Sequence, residues 1–169
     1  MNFVDKNVTI IKITSDIEEN MEVILRKYRP KDFEDIAKLF YQTVHIINAR
    51  DYSPCQLDAW AKDLHSLDRR QEDFANQNSW IALIDGDIAG FGSIDGSYLD
   101  MLYVSKDRQR CKVATALCDE MEKGLDKITT HASITAKDFF LKRGYVVIRQ
   151  QSVLRDGVAL TNFEMQKTL

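Results

Sequence analysis

The chain has 169 residues, of which 44% are hydrophobic and 29% charged, the make-up of one ordinary soluble domain and not of a disordered chain, a collagen or a disulfide scaffold. A formal net charge of -3 gives no global reason to bind nucleic acid or an anionic membrane, so any anion site must be local. No apolar run is long enough to span a bilayer and no secretory segment opens the chain, so the expected location is the cytoplasm.

Residues 1–20 have weak periodicity and end in a polar run, and are expected as a leader or an extra strand ahead of a domain over 21–169. Met21 to Arg26 reads as a strand, and Phe33, Ile36, Phe40, Val44 and Ile47 then recur at helical spacing behind Asp32, a plausible N-cap. Ser53-Pro54 opens a second helix that carries Leu57, Ala61 and Leu64, and a short third helix is expected around Arg69 to Phe74. Two strands follow, Ser79 to Ile84 and Ile88 to Ile94, around the tight-turn pair Asp85-Gly86. Tyr98 to Val104 is a further strand, with Leu99, Met101 and Tyr103 expected on one side and Tyr98, Asp100, Leu102 and Val104 on the other. A helix over Val113 to Lys123 stops at Gly124, a short strand lies near Ile128, and a helix over Ala136 to Lys142 stops at Gly144. Tyr145 to Val153 and Val158 to Met165 flank Arg155-Asp156-Gly157 as a closing hairpin.

The segment Leu102 to Thr115 joins an apolar strand to a helix start, and within it Lys106, Arg108, Arg110 and Lys112 outnumber Asp107. Backbone N–H groups at a helix start lack intrahelical partners and carry the positive end of the dipole, so this is either a seat for a pyrophosphate or a solvated basic loop. Cys55, Cys111 and Cys118 form no C-x-x-C pair and fit free thiols of a reducing compartment. His45, His65 and His131 show no ligand spacing, so no metal is expected.

The run Gln109-Arg110-Cys111-Lys112-Val113-Ala114 resembles motif A, Gln/Arg-x-x-Gly-x-Gly/Ala, of the GNAT superfamily of acyl-CoA-dependent N-acyltransferases. The later run Ser133 to Tyr145 is similar to that family's Asn-x-x-Ala-x-x-Phe-Tyr-x-x-x-Gly-Phe. Two such motifs in the right order are more specific than either alone. Ala49 to Ser53, Gln56 to Trp60 and Gly157 to Met165 resemble the bacterial YafP-like branch, so the resemblance covers roughly residues 22–166.

What the resemblance implies is a single α/β domain, a mixed and mostly antiparallel sheet flanked by helices, with acetyl-CoA as acyl donor and no metal. Leu102, Tyr103 and Val104 would bind the pantetheine arm, and Gln109, Arg110, Cys111, Lys112, Val113, Ala114 and Thr115 the diphosphate. Ser133 matches a cofactor-contacting asparagine or else caps its helix, while Phe139 and Phe140 would pack on the cofactor. Asp100 is the expected base for the attacking amine, and the alternative for it is to cap a turn or pair with a nearby arginine. The family tyrosine that protonates the leaving thiolate corresponds to Phe140, so Tyr145 and Tyr103 are the candidate substitutes. The motif glycine corresponds to Lys112, whose ammonium either compensates in part or lowers cofactor affinity. Tyr41, His45, Tyr52, Trp60 and Asn162 are expected to line the acceptor pocket.

The expected reaction is acetyl transfer to a primary amine by direct attack in a ternary complex. The expected partner is a small-molecule amine, with no nucleic acid and no membrane, and a homodimer is left open. An acyl-CoA-binding protein without turnover, a protein N-acetyltransferase and a small interaction module that binds no nucleotide are the alternatives. No G-x-G-x-x-G follows a strand and opens a helix, which disfavours a dinucleotide fold.

Overall fold

The computed structural model describes residues 8–14 and 20–169, which build one eight-stranded sheet. Its strands are β1 (Val8–Thr14), β2 (Asn20–Lys27), β3 (Asn78–Ile84), β4 (Asp87–Asp95), β5 (Tyr98–Val104), β6 (Lys127–Ser133), β7 (Val146–Arg155) and β8 (Val158–Thr168). They lie in the order β1-β2-β3-β4-β5-β6-β8-β7. Neighbours are antiparallel except β5 and β6, because helix α4 (Val113–Met121) crosses over between them and returns the chain in the same direction. Of the expected leader or extra strand, Val8–Thr14 forms β1 against β2, and residues 1–7 and 15–19 lie outside the described residues.

Alternate residues of β3 feed two cores. Trp80, Ala82 and Ile84 face α4 and α5 (Ile134–Lys142), while Ile81 faces α1 (Phe33–Ile46), α2 (Pro54–Trp60) and α3 (Gln71–Asn76). Helices therefore cover both faces of the sheet. The α1 face buries Ile36, Phe40 and Val44, each side chain stabilising by roughly 2 kcal/mol, and α4 buries Val113, Leu117 and Met121. A Cβ on Gly90 would stand 2.8 Å from Val113 Cγ1 and 2.9 Å from Tyr103 O, and one on Gly92 2.7 Å from Met121 Cε. These two glycines let α4 lie directly on β4, which brings its N-terminus to the end of β5.

Four sequence expectations are corrected. Asp32 does not cap α1 through its side chain; its carboxylate accepts from Arg26 at 2.7 and 2.8 Å and from the Arg29 N–H at 2.8 Å, closing a 3-10 turn at Pro30–Asp32. The second helix keeps its Ser53 cap but ends at Trp60, where Ala61 leaves helical geometry, so Leu64 lies beyond it and is exposed. Helix α4 ends at Met121, two residues early, and a turn through Gly124 at φ 76° follows. In β5, Ser93 pairs with Met101 and Ile94 with Leu99, so Asp100 is the extra residue of a β-bulge. The bulge resets the alternation: Leu99 joins Leu102 and Val104 on the α4 side, while Met101 and Tyr103 turn to the α1 side.

Candidate active site

Strands β5 and β6 pair only at Tyr98 with Thr129 and Leu99 with Thr130, and beyond the Asp100 bulge they part. The Ser105 N–H bonds to Ala89 O at 2.8 Å, so by antiparallel alternation Tyr103 faces Phe91 and the backbone of Leu102 and Val104 is directed into the gap. Thr43 Oγ1 at 3.1 Å and Gln109 Nε2 at 2.9 Å occupy the Val104 carbonyl. What the gap presents is the Val104 N–H.

The gap opens on a channel of about 430 Å³, whose far end is the start of α4. Arg110 and Lys112 both take left-handed backbone, at φ 62° and 58°, a conformation that costs roughly 1–2 kcal/mol in a non-glycine residue. Lys112 thus adopts the shape that the glycine of the motif would supply. The Ala116 N–H bonds to Lys112 O at 3.0 Å, so the N–H groups of Val113, Ala114 and Thr115 precede the helix ladder, and all three residues line the channel. Of the neighbouring cations, Lys106 pairs with Asp107 at 2.7 Å and Arg108 with Asp85 at 3.2 Å, while Arg110 and Lys112 line the channel beside Arg108. An anion at this end meets backbone donors and basic side chains together.

Of the residues expected to hold the cofactor, Cys111 is the exception: it packs toward the α4 core, with Sγ 3.6 Å from Gln109 O, and does not line the channel. Gln109 lines it, but its amide donates to Val104 O and to Ser105 O at 3.1 Å, so its side chain closes the loop. Ser133 caps α5, accepting from the Ala136 N–H at 3.1 Å, and lines the channel as well. Phe139 and Phe140 form the apolar wall, their rings 5.2 Å apart.

Tyr145 is corrected. It lies behind Phe140, with ring centroids 5.0 Å apart, is buried, and donates its hydroxyl to Glu122 Oε1 at 3.0 Å. It does not line the channel, and burial together with the Glu122 charge pushes its phenol well above the usual range. Tyr103 does line it, yet burial raises its phenol strongly too, with only partial relief from a hydrogen bond with Trp60. Neither phenol is a ready proton donor.

A second cavity of about 530 Å³ adjoins the channel, and Trp60, Asp100, Tyr103, His131 and Ser133 line both. Tyr52, Trp60 and Asn162 line it. The Tyr52 hydroxyl donates to Thr161 O at 2.7 Å and accepts from the Ile134 N–H at 2.9 Å, fixing β8 to the start of α5. Tyr41 and His45 are corrected: their rings lie 4.4 Å apart in a tilted pair, His45 Nε2 donates to Ala61 O at 2.7 Å and so ties α1 to the end of α2, and neither side chain lines either cavity.

Asp100 stands where channel and cavity meet. Its Oδ2 accepts from Arg70 Nη2 and from Gln77 Nε2 at 2.9 Å, while its Oδ1 takes no hydrogen bond from the described residues. The ion-pair alternative for this residue is therefore realised, with one carboxylate oxygen left over. Burial lowers the Arg70 guanidinium, but Asp100 and Asp73 outweigh it and keep the group charged.

Sequence reasoning missed His131, Arg69, Arg70, Gln77 and Arg155 at this site. His131 lies two residues before Ser133 on β6, so strand alternation puts both on one face, which was a usable signal. The arginines and Gln77 come from a turn, a helix end and a hairpin that only the fold brings together.

Among the described residues no helix is long and apolar enough to cross a membrane, and no three His, Cys, Asp or Glu side chains converge as a metal site. The three cysteines are free thiols.

Residues 48–168 match the family model of the acetyltransferase (GNAT) domain. The chain is 37% identical over 142 residues to the N-acetyltransferase YafP of Escherichia coli strain K12, covering 84% of this chain and 93% of that protein. It is 36% identical to a GCN5-related N-acetyltransferase from Rhodopseudomonas palustris, covering 86% of this chain and 94% of that one with a TM-score of 0.78. The PaiA N-acetyltransferase of Thermoplasma acidophilum, solved with coenzyme A, shares the fold at 19% identity and a TM-score of 0.69, over 87% of this chain and 99% of that one. A family match over the very segment that carries the split strands, the left-handed loop and both cavities leads to one conclusion: the chain belongs to the GNAT family of N-acetyltransferases.

Proposed function

We propose that this acetyltransferase takes acetyl-CoA as donor and moves the acetyl group to a primary amine of a small molecule, by direct attack in a ternary complex. The observation that carries the reading is that a channel with a phosphate cradle at one end meets a second cavity at Asp100. The residues present fit the cofactor: Val113, Ala114 and Thr115 offer N–H groups to a diphosphate, Arg110 and Lys112 add charge, and the Val104 N–H suits an amide or thioester carbonyl in the gap. Acetyl-CoA, when bound, supplies the acetyl group as an activated thioester.

Asp100 Oδ1 accepts the proton of the incoming ammonium while Arg70 and Gln77 hold the carboxylate by its other oxygen. Tyr103 and Trp60 wall the junction and exclude water. No cysteine lines either cavity, so no thiol is placed to carry the acetyl group, which favours direct transfer. A bounded cavity of about 530 Å³ suits a small acceptor better than a protein tail. The free thiols favour a reducing, cytoplasmic setting.

A second reading is an acyl-CoA-binding protein without turnover, which the apolar Phe140 and the engaged Tyr145 hydroxyl favour. A coenzyme A thiol has a pKa near the roughly 8.5 of cysteine and leaves with little acid help, so the loss of that donor slows turnover and does not abolish it. Calorimetric titration with acetyl-CoA, with ATP and NAD as comparison ligands, followed by thiol release over an amine panel, separates the two. Binding of the CoA species with thiol release supports transfer, binding without release from any amine supports the second reading, and no binding removes both.

A further inference from the structure

The wall of the second cavity carries three arginines, Arg69, Arg70 and Arg155, against one carboxylate, Asp100. Arg70 is spent: it pairs with Asp73 at 2.5 Å and with Asp100. Arg69 and Arg155 have no ion-pair partner among the described residues. Both are exposed and come from different elements, Arg69 from the 3-10 turn Asp68–Arg70 and Arg155 from the end of β7, in a protein whose net charge is -3. Two guanidinium groups without ion-pair partners on the lining of one cavity are the complement of an anion.

Other parts of the lining are the reverse. Asp100 Oδ1 takes no hydrogen bond from the described residues, and Asn162 Oδ1 is a buried acceptor with no donor. Asn162 pairs in register with Ser133, which lines both cavities, so this orphan acceptor sits near the junction with the channel. Arg155 pairs with Val158, and Val158 is four strand residues, about 13 Å, from Asn162 along β8. The cavity thus offers Asp100, and beside it the unpartnered Asn162, to an ammonium, and two arginines without ion-pair partners to an acid.

We propose that the acceptor of this enzyme is a zwitterionic amine, one that carries a carboxylate or phosphate group, whose amine lies on Asp100 and Asn162 and whose acid lies between Arg69 and Arg155. The proposal rests on the acetyltransferase reading above and narrows its substrate. In the transfer, Asp100 takes one proton from the ammonium, the freed amine nitrogen forms the new bond to the acetyl carbon, the carbon–sulfur bond breaks with its electron pair on the departing thiolate, and the second nitrogen proton ends on that thiolate to give coenzyme A. The acid group takes no part in bond making; it anchors the molecule.

The test pairs each acid-bearing amine with its uncharged counterpart: 4-aminobutanoate with butylamine, 6-aminohexanoate with hexylamine, 2-aminoethylphosphonate with ethylamine. Thiol release gives kcat/KM for each, and calorimetry on the CoA-loaded protein gives binding without turnover. The expected result is an acid-bearing partner preferred by about tenfold or more in both readouts, with Arg155→Gln and Arg69→Gln each erasing most of that preference. Arg149→Gln removes an arginine of the same strand that pairs with Glu164 outside the cavity, and it leaves the preference intact. Equal use of the uncharged partners, or an equal loss in Arg149→Gln, overturns the proposal while the acetyltransferase reading stands. Binding of the acid-bearing amine that depends on Arg155 but releases no thiol upholds the cavity as a zwitterion site and overturns its use as the acceptor site of the transfer.

Discussion

Arg70 and Asp100 are joined through a single carboxylate oxygen. The guanidinium and the Gln77 amide both bind Oδ2, so Oδ1 takes no hydrogen bond from the described residues, and Asp100 lines both cavities. A carboxylate held through one oxygen keeps the other for the proton-accepting role proposed above. The β-bulge that makes Asp100 the unpaired residue of β5 is what turns it to that place.

Asp100→Asn keeps the volume and the hydrogen bond to Gln77 but cannot take a proton. Its kcat with the best acceptor falls by about 10²–10³, while the Kd for acetyl-CoA stays within about twofold. Stopped-flow thiol release and calorimetry read the two quantities separately, and an unchanged kcat would remove Asp100 from the role of base.

Lys112 holds a left-handed backbone at φ 58°. Lys112→Gly relieves roughly 1 kcal/mol of strain but loosens the unfolded chain by a similar amount, so its urea midpoint stays near that of the parent. Lys112→Val, β-branched in the same conformation, lowers stability by about 1–2 kcal/mol. A valine variant as stable as the glycine variant would mean that the loop does not need this conformation.

Gly90→Ala places a methyl 2.8 Å from Val113 Cγ1 and 2.9 Å from the Tyr103 carbonyl, and the backbone oxygen cannot swing aside. The expected cost is about 1–3 kcal/mol in chemical denaturation. Because Val113 starts α4 at the channel, acetyl-CoA binding weakens as well, which distinguishes this change from a remote core mutation.

Glu122 accepts from Arg143 and Lys167, each at 2.8 Å, and from the Tyr145 hydroxyl at 3.0 Å. Burial raises its carboxyl, but the hydrogen bonds from Arg143 and Lys167 outweigh that and hold it below the ordinary value of 4.5. A folded pKa below the unfolded one stabilises above the unfolded value, and the contribution fades as pH falls through the folded value. Glu122→Gln therefore lowers Tm at pH 7, and the gap from the parent narrows as pH falls below the ordinary value of 4.5. A gap that stays constant down the pH series would show that the ionised form contributes nothing.

Local chemistry decided much of this protein. Ser53-Pro54 starts its helix, Asp85-Gly86 and Asp156-Gly157 turn their hairpins at positive φ, and the basic run before Val113 leads into a helix start. Each depends on a few adjacent residues and their backbone preferences, so the sequence alone was enough, and the paired motifs of the GNAT family followed from it. The site needed the fold. The strict alternation read for β5 failed at Asp100 because a bulge depends on pairing with β4, which no local pattern records. Tyr145 turned away to Glu122, and Tyr41 and His45 to the end of α2, because competing partners came from distant parts of the chain. Arg70, Gln77, His131 and Arg155 meet around Asp100 only once the turn before α3, the start of β3, the split strand β6 and the β7–β8 hairpin are assembled. Backbone geometry is a short-range property and was legible; charge complementarity in a cavity is a long-range one, and only the tertiary structure set it.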